Sequence, residues 1–177
     1  MQEFKKIGGV SVNYRQPTLL DRDALIDYMR EHYDNGEKSI QASNMLPVMK
    51  YEDWIDKLLN DSTVGDKDWG LSETCLAIVN NKIIGLLNVR YTLSLEMADM
   101  YGHIGIGVRP SERRKGYAKK MLEHGLHLCR DRGLDEVILG CYKDNIGSKK
   151  TIEANNGILY RETTLDDKPA IYYKIKL

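Results

Sequence analysis

The chain lacks any excess of charge. Its 177 residues carry 26 Lys plus Arg against 26 Asp plus Glu, a formal charge of zero. That balance gives no general attraction to nucleic acid or to an anionic membrane, and no aromatic stacking motif argues otherwise. No apolar run approaches membrane-spanning length, and the polar stretch Met1–Gly9 does not read as a signal peptide. Cysteine is sparse. Cys75, Cys129 and Cys141 show no metal-ligand spacing, and each lies among apolar neighbours. The reading is no metal, and free thiols in a reducing cytoplasm. A nucleophilic Cys141 would have no adjacent base in sequence. Repeats and low-complexity segments are absent as well. What is left, 42% hydrophobic and 29% charged, suits one globular domain over residues 1–177.

Periodicity then divides the chain. Val10 to Gln16 alternates weakly as a first strand and stops at Pro17. Asp21 is placed to cap a helix whose stripe is Leu25, Tyr28, Met29 and His32, ended by Asp34-Asn35-Gly36. His32 reads as a core-edge histidine. Glu37 to Lys50 is irregular, a loop or short helix. Tyr51 to Asn60 is a helix with Trp54, Ile55, Leu58 and Leu59 inward, and Trp69 plugs an edge beyond it. Glu73 to Val79 and Lys82 to Thr92 are strands over an Asn80-Asn81 turn, since asparagine tolerates positive φ. Ile158 to Thr164 and Ala170 to Leu177 form a last hairpin.

The middle of the chain is the most informative. Tyr101 to Val108 alternates, with Ile104, Ile106 and Val108 on one face and His103, Gly105 and Gly107 on the other. Glycines on one strand face imply that another backbone or a ligand comes close. Pro110 ends the strand, and Arg113-Arg114-Lys115-Gly116-Tyr117-Ala118 opens a helix burying Met121, Leu122, Gly125, Leu126 and Cys129. Gly133 closes it, and the apolar strand Glu136 to Tyr142 follows. This strand, helix and strand favour a parallel pair with a crossover helix. A basic turn with one glycine before a helix N-terminus is a phosphate site: the first amides lack internal partners and the peptide dipoles add positive charge. Pattern alone gives α/β or α+β.

Arg113-x-x-Gly116-x-Ala118 after a strand resembles the acyl-CoA signature of the GNAT superfamily of N-acetyltransferases, and Asn145-x-x-Ser148 follows at the expected distance. The run from about His103 to Tyr160 resembles a bacterial group of that superfamily sharing the segment VRPSERRKGYA. The resemblance implies a mixed, mostly antiparallel twisted sheet flanked by helices, with a central parallel βαβ unit. It implies acetyl-CoA as co-substrate, with backbone of Ile106, Gly107 and Val108 holding pantetheine. The amides from Arg114 through Lys115, Gly116, Tyr117 and Ala118 to Lys119 would hold the pyrophosphate, Arg113 beside them. Asn145 and Ser148 would contact the pantetheine arm, although Asn145 also serves as a helix N-cap. Ile152 stands where many members carry the tyrosine that protonates the leaving thiolate; Tyr142 and Tyr173 are weak substitutes.

An acceptor amine of pKa about 10 is mostly protonated at neutral pH, so a base helps. His103 is the candidate by strand parity, with Glu96 and Asp99 in the preceding loop as alternatives, and a hydrogen-bonded strand-end role for His103 stands beside that reading. The expected activity is transfer of acetyl to a small or exposed amine by direct attack, in a monomer or homodimer. A non-catalytic acyl-CoA-binding or sensing module is the alternative that Ile152 raises. In either case Gly116→Glu puts a side chain and a negative charge against the pyrophosphate. Calorimetry should find CoA affinity lost in a folded variant; unchanged binding would refute the phosphate site.

Overall fold

The computed structural model describes residues 6–7, 10–94 and 102–177. Glu96 and Asp99 lie outside them. Short strands β1 (Lys6–Ile7), β2 (Val10–Ser11) and β3 (Asn13–Arg15) come first. Then follow helix α1 (Arg22–Asp34), helix α2 (Tyr51–Thr63), and strands β4 (Ser72–Val79), β5 (Lys82–Arg90) and β6 (Ile104–Val108). Helix α3 (Tyr117–Asp131), strand β7 (Glu136–Tyr142), helix α4 (Ile146–Glu153), and strands β8 (Ile158–Leu165) and β9 (Lys168–Lys176) complete the chain.

Local chemistry accounts for most of the boundaries. Asn80 and Asn81 take φ of 48° and 62°, and Asp166 and Asp167 take 49° and 60°, so each hairpin turns on two left-handed residues. That twist matches the flanking strands. Asp21 does not cap α1 with its carboxylate. The carboxylate instead accepts from the Thr18 amide and hydroxyl, both at 2.8 Å, and from the Arg15 guanidinium at 2.7 Å. The far end of α1 closes by a Schellman turn: Gly36 N–H donates to the Tyr33 carbonyl and Glu37 N–H to the His32 carbonyl.

Helices cover both faces of the sheet β3-β4-β5-β6. On one side Leu25, Tyr28, Trp54 and Leu58 of α1 and α2 pack on Leu76, Ile83 and Leu86. On the other, Met121, Leu122 and Cys129 of α3 pack on Ile84, Leu87, Val89 and Ile104. β5 is therefore buried on both faces. Gly125 lets α3 approach closely, because a Cβ there would lie 3.1 Å from Ile104 Cδ1. Two side chains differ from their expected places: Leu59 is 60% exposed and Trp69 41%. Leu59 lies in the last two turns of α2, and Trp69 in the short turn closed by the Asp66–Gly70 bridge before β4.

The expected parallel pair of β6 and β7 does not form a ladder. β7 pairs antiparallel with β9 along its whole length, in a separate sheet of order β7-β9-β8. Among the described residues β6 forms a ladder on one edge only, with β5. The two sheets meet at the Gly102–Leu139 bridge, where His103 N–H donates to the Ile138 carbonyl at 2.8 Å. Gly102 is required at that crossing. Its φ is +67°, and a Cβ would come within 2.5 Å of the Ile138 carbonyl oxygen. Past this point β6 and β7 separate, and β7 keeps its ladder with β9 on the opposite edge.

Arg109, 3% exposed at the end of β6, joins that strand to α1. Its Nε donates to the Ile83 carbonyl at 2.7 Å, and its Nη1 to Asp27 and Glu31 at 2.9 and 2.8 Å. Burial opposes ionisation of Glu31, but bonds from Ser111 and Arg109 outweigh it and hold the pKa at about 2. The sign follows. A depressed carboxyl contributes stability that is present above its unfolded pKa and lost as pH falls toward the folded value. Glu31→Gln should therefore lower stability above pH about 4.5 and flatten its loss on acidification below that. Urea unfolding across the acid range checks this, and equal pH slopes in both proteins would overturn it.

Candidate functional site

The gap between β6 and β7 opens into a cavity of about 860 Å³, within the range of ligand sites. Ile104 to Val108 line one wall and Leu139 to Tyr142 the other. At one end stands the N-terminus of α3, with Gly116, Tyr117, Ala118 and Lys119 on the cavity. Gly116 is the N-cap at φ +83°, and no side chain caps the helix. The first amides of α3 thus keep no side-chain partner, and a Cβ on Gly116 would meet nothing within 4 Å. An uncapped helix start at the end of an open cleft suits a phosphate group.

The neighbouring charges are mostly matched within the chain. Arg113 donates from Nε to the Val108 carbonyl at 3.1 Å and pairs with Glu37 at 2.7 Å. Lys115 pairs with Glu112 at 2.8 Å, and Lys82 reaches the same carboxylate at 3.1 Å. The bond from Lys115 chiefly holds the Glu112 carboxyl below its usual range. Arg114 adopts φ 61°, so the basic turn is itself left-handed. At the opposite wall Asn145 Oδ1 accepts from Ser148 N–H at 3.0 Å, and both residues line the cavity. The N-cap role of Asn145 is therefore present.

A family model described as the acetyltransferase (GNAT) family matches residues 39–158. The chain belongs to that family. Solved structures share the fold at low identity. Salmonella typhimurium yncA, with its cofactor acetyl-CoA, is 12% identical over 93% of each chain, with a TM-score of 0.67. RimL, a ribosomal L7/L12 alpha-N-protein acetyltransferase in complex with coenzyme A, is 14% identical over 94% of each chain, at 0.68. A ribosomal-protein-alanine N-acetyltransferase from Brucella melitensis is 13% identical over 93% of this chain and 99% of its own, at 0.66. No curated protein matches the chain in sequence. The family's mixed architecture is present as antiparallel sheets flanked by helices. No helix among the described residues is long and apolar enough to cross a membrane, and no metal-binding cluster occurs among them.

Of the family positions read from sequence, Ile106, Gly107, Val108, Arg113, Arg114, Gly116, Tyr117, Ala118, Lys119, Asn145 and Ser148 all line the one cavity. Lys115 turns to Glu112 instead. The glycine face of β6 is occupied by the chain itself: a Cβ on Gly107 would lie 2.5 Å from the Gln41 carbonyl oxygen and 3.0 Å from the Tyr28 hydroxyl. A Cβ on Gly105 would approach Ala42 and the Arg90 guanidinium. The close neighbour of Gly107 is thus the Gln41 carbonyl, while Gly105 has only ordinary contacts, and both glycines line the cavity. Ile152 is in the core and borders the cavity. Tyr142 borders it too, its hydroxyl 3.1 Å from Asp166. Tyr173 does not, and burial together with its bond to Glu153 pushes its pKa up to about 12. Cys75 and Cys129 are buried, while Cys141 is half-buried on the cavity wall; all three are free.

His103 is absent from the cavity walls. Its Nδ1 accepts the Ile138 N–H at 2.9 Å, so the ring fastens β6 to β7. Burial pushes its pKa below the ordinary imidazole value, and Arg90 acts the same way. A neutral ring whose lone pair is already used serves poorly as a base. Sequence reading passed over Glu37 and Arg90 and took His32 as a core-edge histidine; all three border the cavity. Asn35-Gly36 was the available signal, because a Schellman turn folds the next residue back against the last turn of the helix.

His103→Ala removes the partner of a half-buried amide and should cost about 1–2 kcal/mol at pH 7.5. A lowered folded pKa means the wild-type clip is complete above the unfolded histidine pKa and weakens as pH falls through the folded value. The difference between the two proteins should shrink on acidification to pH about 5. Urea unfolding at both pH values tests this, and a variant as stable as the wild type at pH 7.5 would show that the clip carries nothing.

Proposed function

We propose that the chain is an acetyl-CoA-dependent N-acetyltransferase that moves an acetyl group to a primary amine by direct attack in a ternary complex. One observation carries the reading: the unpaired edge of β6 and the uncapped start of α3 open into the same cavity. A strand edge accepts an extended amide-bearing arm by main-chain hydrogen bonds, and a helix start accepts phosphate. CoA offers both groups, and yncA and RimL carry acetyl-CoA and CoA on this fold. Acetyl-CoA, when bound, supplies an activated acetyl thioester.

The chain's own residues do the rest. Amides of Tyr117 to Lys119 would donate to the pyrophosphate oxygens. Backbone of Ile106 to Val108 orients the pantetheine arm, and a strand amide there stabilises charge on the thioester oxygen. Asn145 and Ser148 hold the opposite wall, and Leu122, Ile104 and Ile152 exclude water. The acceptor enters beside Gln41, Ala42 and Arg90, where the loop after α1 meets β6. Two structural relatives act on ribosomal proteins, which supports an exposed amino group as one class of acceptor.

A second reading, a non-catalytic acyl-CoA-binding module, draws on Ile152 in the tyrosine position and on Tyr173 being engaged by Glu153. Turnover separates the two. Purified protein with acetyl-CoA and a panel of small amines and peptides should release free CoA only when an amine is present. Tight CoA binding without release on any amine would establish the module instead.

A further inference from the structure

Three cations on the cavity wall have no match in the chain. Arg114 lies in the left-handed turn before α3, Lys119 in the first turn of α3, and Lys150 on α4. All three are exposed and border the cavity, and their side chains make no hydrogen bond or ion pair among the described residues. The carboxylates bordering the same cavity are Glu37, Glu112 and Asp166. Glu37 holds Arg113, Glu112 holds Lys115 and Lys82, and Asp166 accepts from the Tyr142 hydroxyl. None of the three reaches these cations. A chain of zero net charge therefore keeps a local surplus of positive charge at this cleft.

The fold brings the surplus to one end. The Asn155 side-chain amide donates to the Lys119 carbonyl at 3.4 Å and to the Thr151 carbonyl at 2.9 Å. One buried side chain thus ties the first turn of α3 to the last turns of α4. Lys150 precedes Thr151 and shares the cavity face of α4 with Gly147 and Ala154, its neighbours one helical turn away on either side. Arg114 stands two residues before the Gly116 cap. A cleft lined by one sign of charge focuses its field and draws in the opposite charge. The free amides of α3 serve one anion at this end. Lysine and arginine side chains with no carboxylate beside them suit a second phosphate.

Resting on the acyl-CoA site proposed above, we propose that Arg114, Lys119 and Lys150 bind the 3′-phosphate of CoA, a group separate from the pyrophosphate at the α3 amides. CoA carries both anions: the pyrophosphate joins the pantetheine arm to the nucleotide, and a phosphomonoester sits on the ribose. Such a monoester bears nearly two negative charges at neutral pH, which the side chains match and the backbone dipoles alone do not. These three residues make the site selective for the 3′-phosphorylated nucleotide. The donor is accordingly a free CoA thioester. A phosphopantetheine arm on a carrier protein lacks the monoester and leaves the three cations unmatched.

Calorimetry on the full-length protein, with CoA and dephospho-CoA as the two ligands, tests this without any acceptor. The wild type should bind CoA at least about tenfold more tightly at low salt, and that preference should shrink as ionic strength rises. Lys150→Gln should cut the preference about three- to fivefold by weakening CoA while dephospho-CoA binds as before. The triple variant Arg114→Gln, Lys119→Gln, Lys150→Gln should lose the preference altogether. Equal affinity of the wild type for the two ligands overturns the proposal. A Lys150→Gln that weakens both ligands alike overturns the place given to Lys150, because its charge then serves the pyrophosphate. A preference that survives all three substitutions overturns the assignment as a whole. A wild type that binds neither ligand sinks the acyl-CoA reading itself, a result distinct from binding both equally.

Discussion

The structure depends on how one strand edge is used. β7 can pair along two edges, and β9 takes one of them over seven residues, Glu136 to Tyr142. Its other edge meets β6 only at the Gly102–Leu139 crossing. Everything that makes a site comes from that division. β6 keeps an unpaired edge, the walls diverge, and α3 begins at the open end. An unpaired edge is a hazard on a protein surface, but inside a cleft it is a binding surface for an extended ligand. His103 and Gly102 hold the crossing point, so the opening is anchored at one end rather than frayed.

Charge follows the same economy. Net charge is zero, and two arginines near the cleft, Arg109 and Arg113, are matched by carboxylates from α1 and the residues after it. Arg109 is bound by Asp27 and Glu31 of α1, and Arg113 by Glu37 just beyond it. These pairs fix α1 and its following loop against β6, which brings His32 to the cavity. The uncapped start of α3 adds its backbone dipoles at the end of the same cavity. Backbone dipoles carry no counter-charge to displace, and their direction is set by the helix itself.

Much of this was legible from residues alone. Hairpins at Asn80-Asn81 and Asp166-Asp167, the apolar stripe of α3, the Gly133 stop and the cap at Asn145 are local effects, and the structure has each of them. The acyl-CoA signature could be read for the same reason: glycine, small residue and helix start are contiguous. Of the two glycines of β6, Gly107 has a close neighbour, the backbone carbonyl of Gln41, and Gly105 has none closer than ordinary contact. Strand parity grouped His103 with Gly105 and Gly107, but β6 begins only at Ile104 and the His103 ring meets the Ile138 amide of the neighbouring strand.

The sequence by itself determined the elements, their turns, the family and the phosphate-type helix start, because those are written in spacings shorter than one element. Tertiary structure alone decided that β6 and β7 would part, that His103 would fasten them, and that His32 and Glu37 would face the cavity. Those outcomes depend on distant partners meeting: β9 along one edge of β7, β6 at one crossing on the other, and Arg113 and His32 on the two oxygens of Glu37. No pattern along the chain records which remote partners meet, since the free energy that decides it is realised only when both are in place.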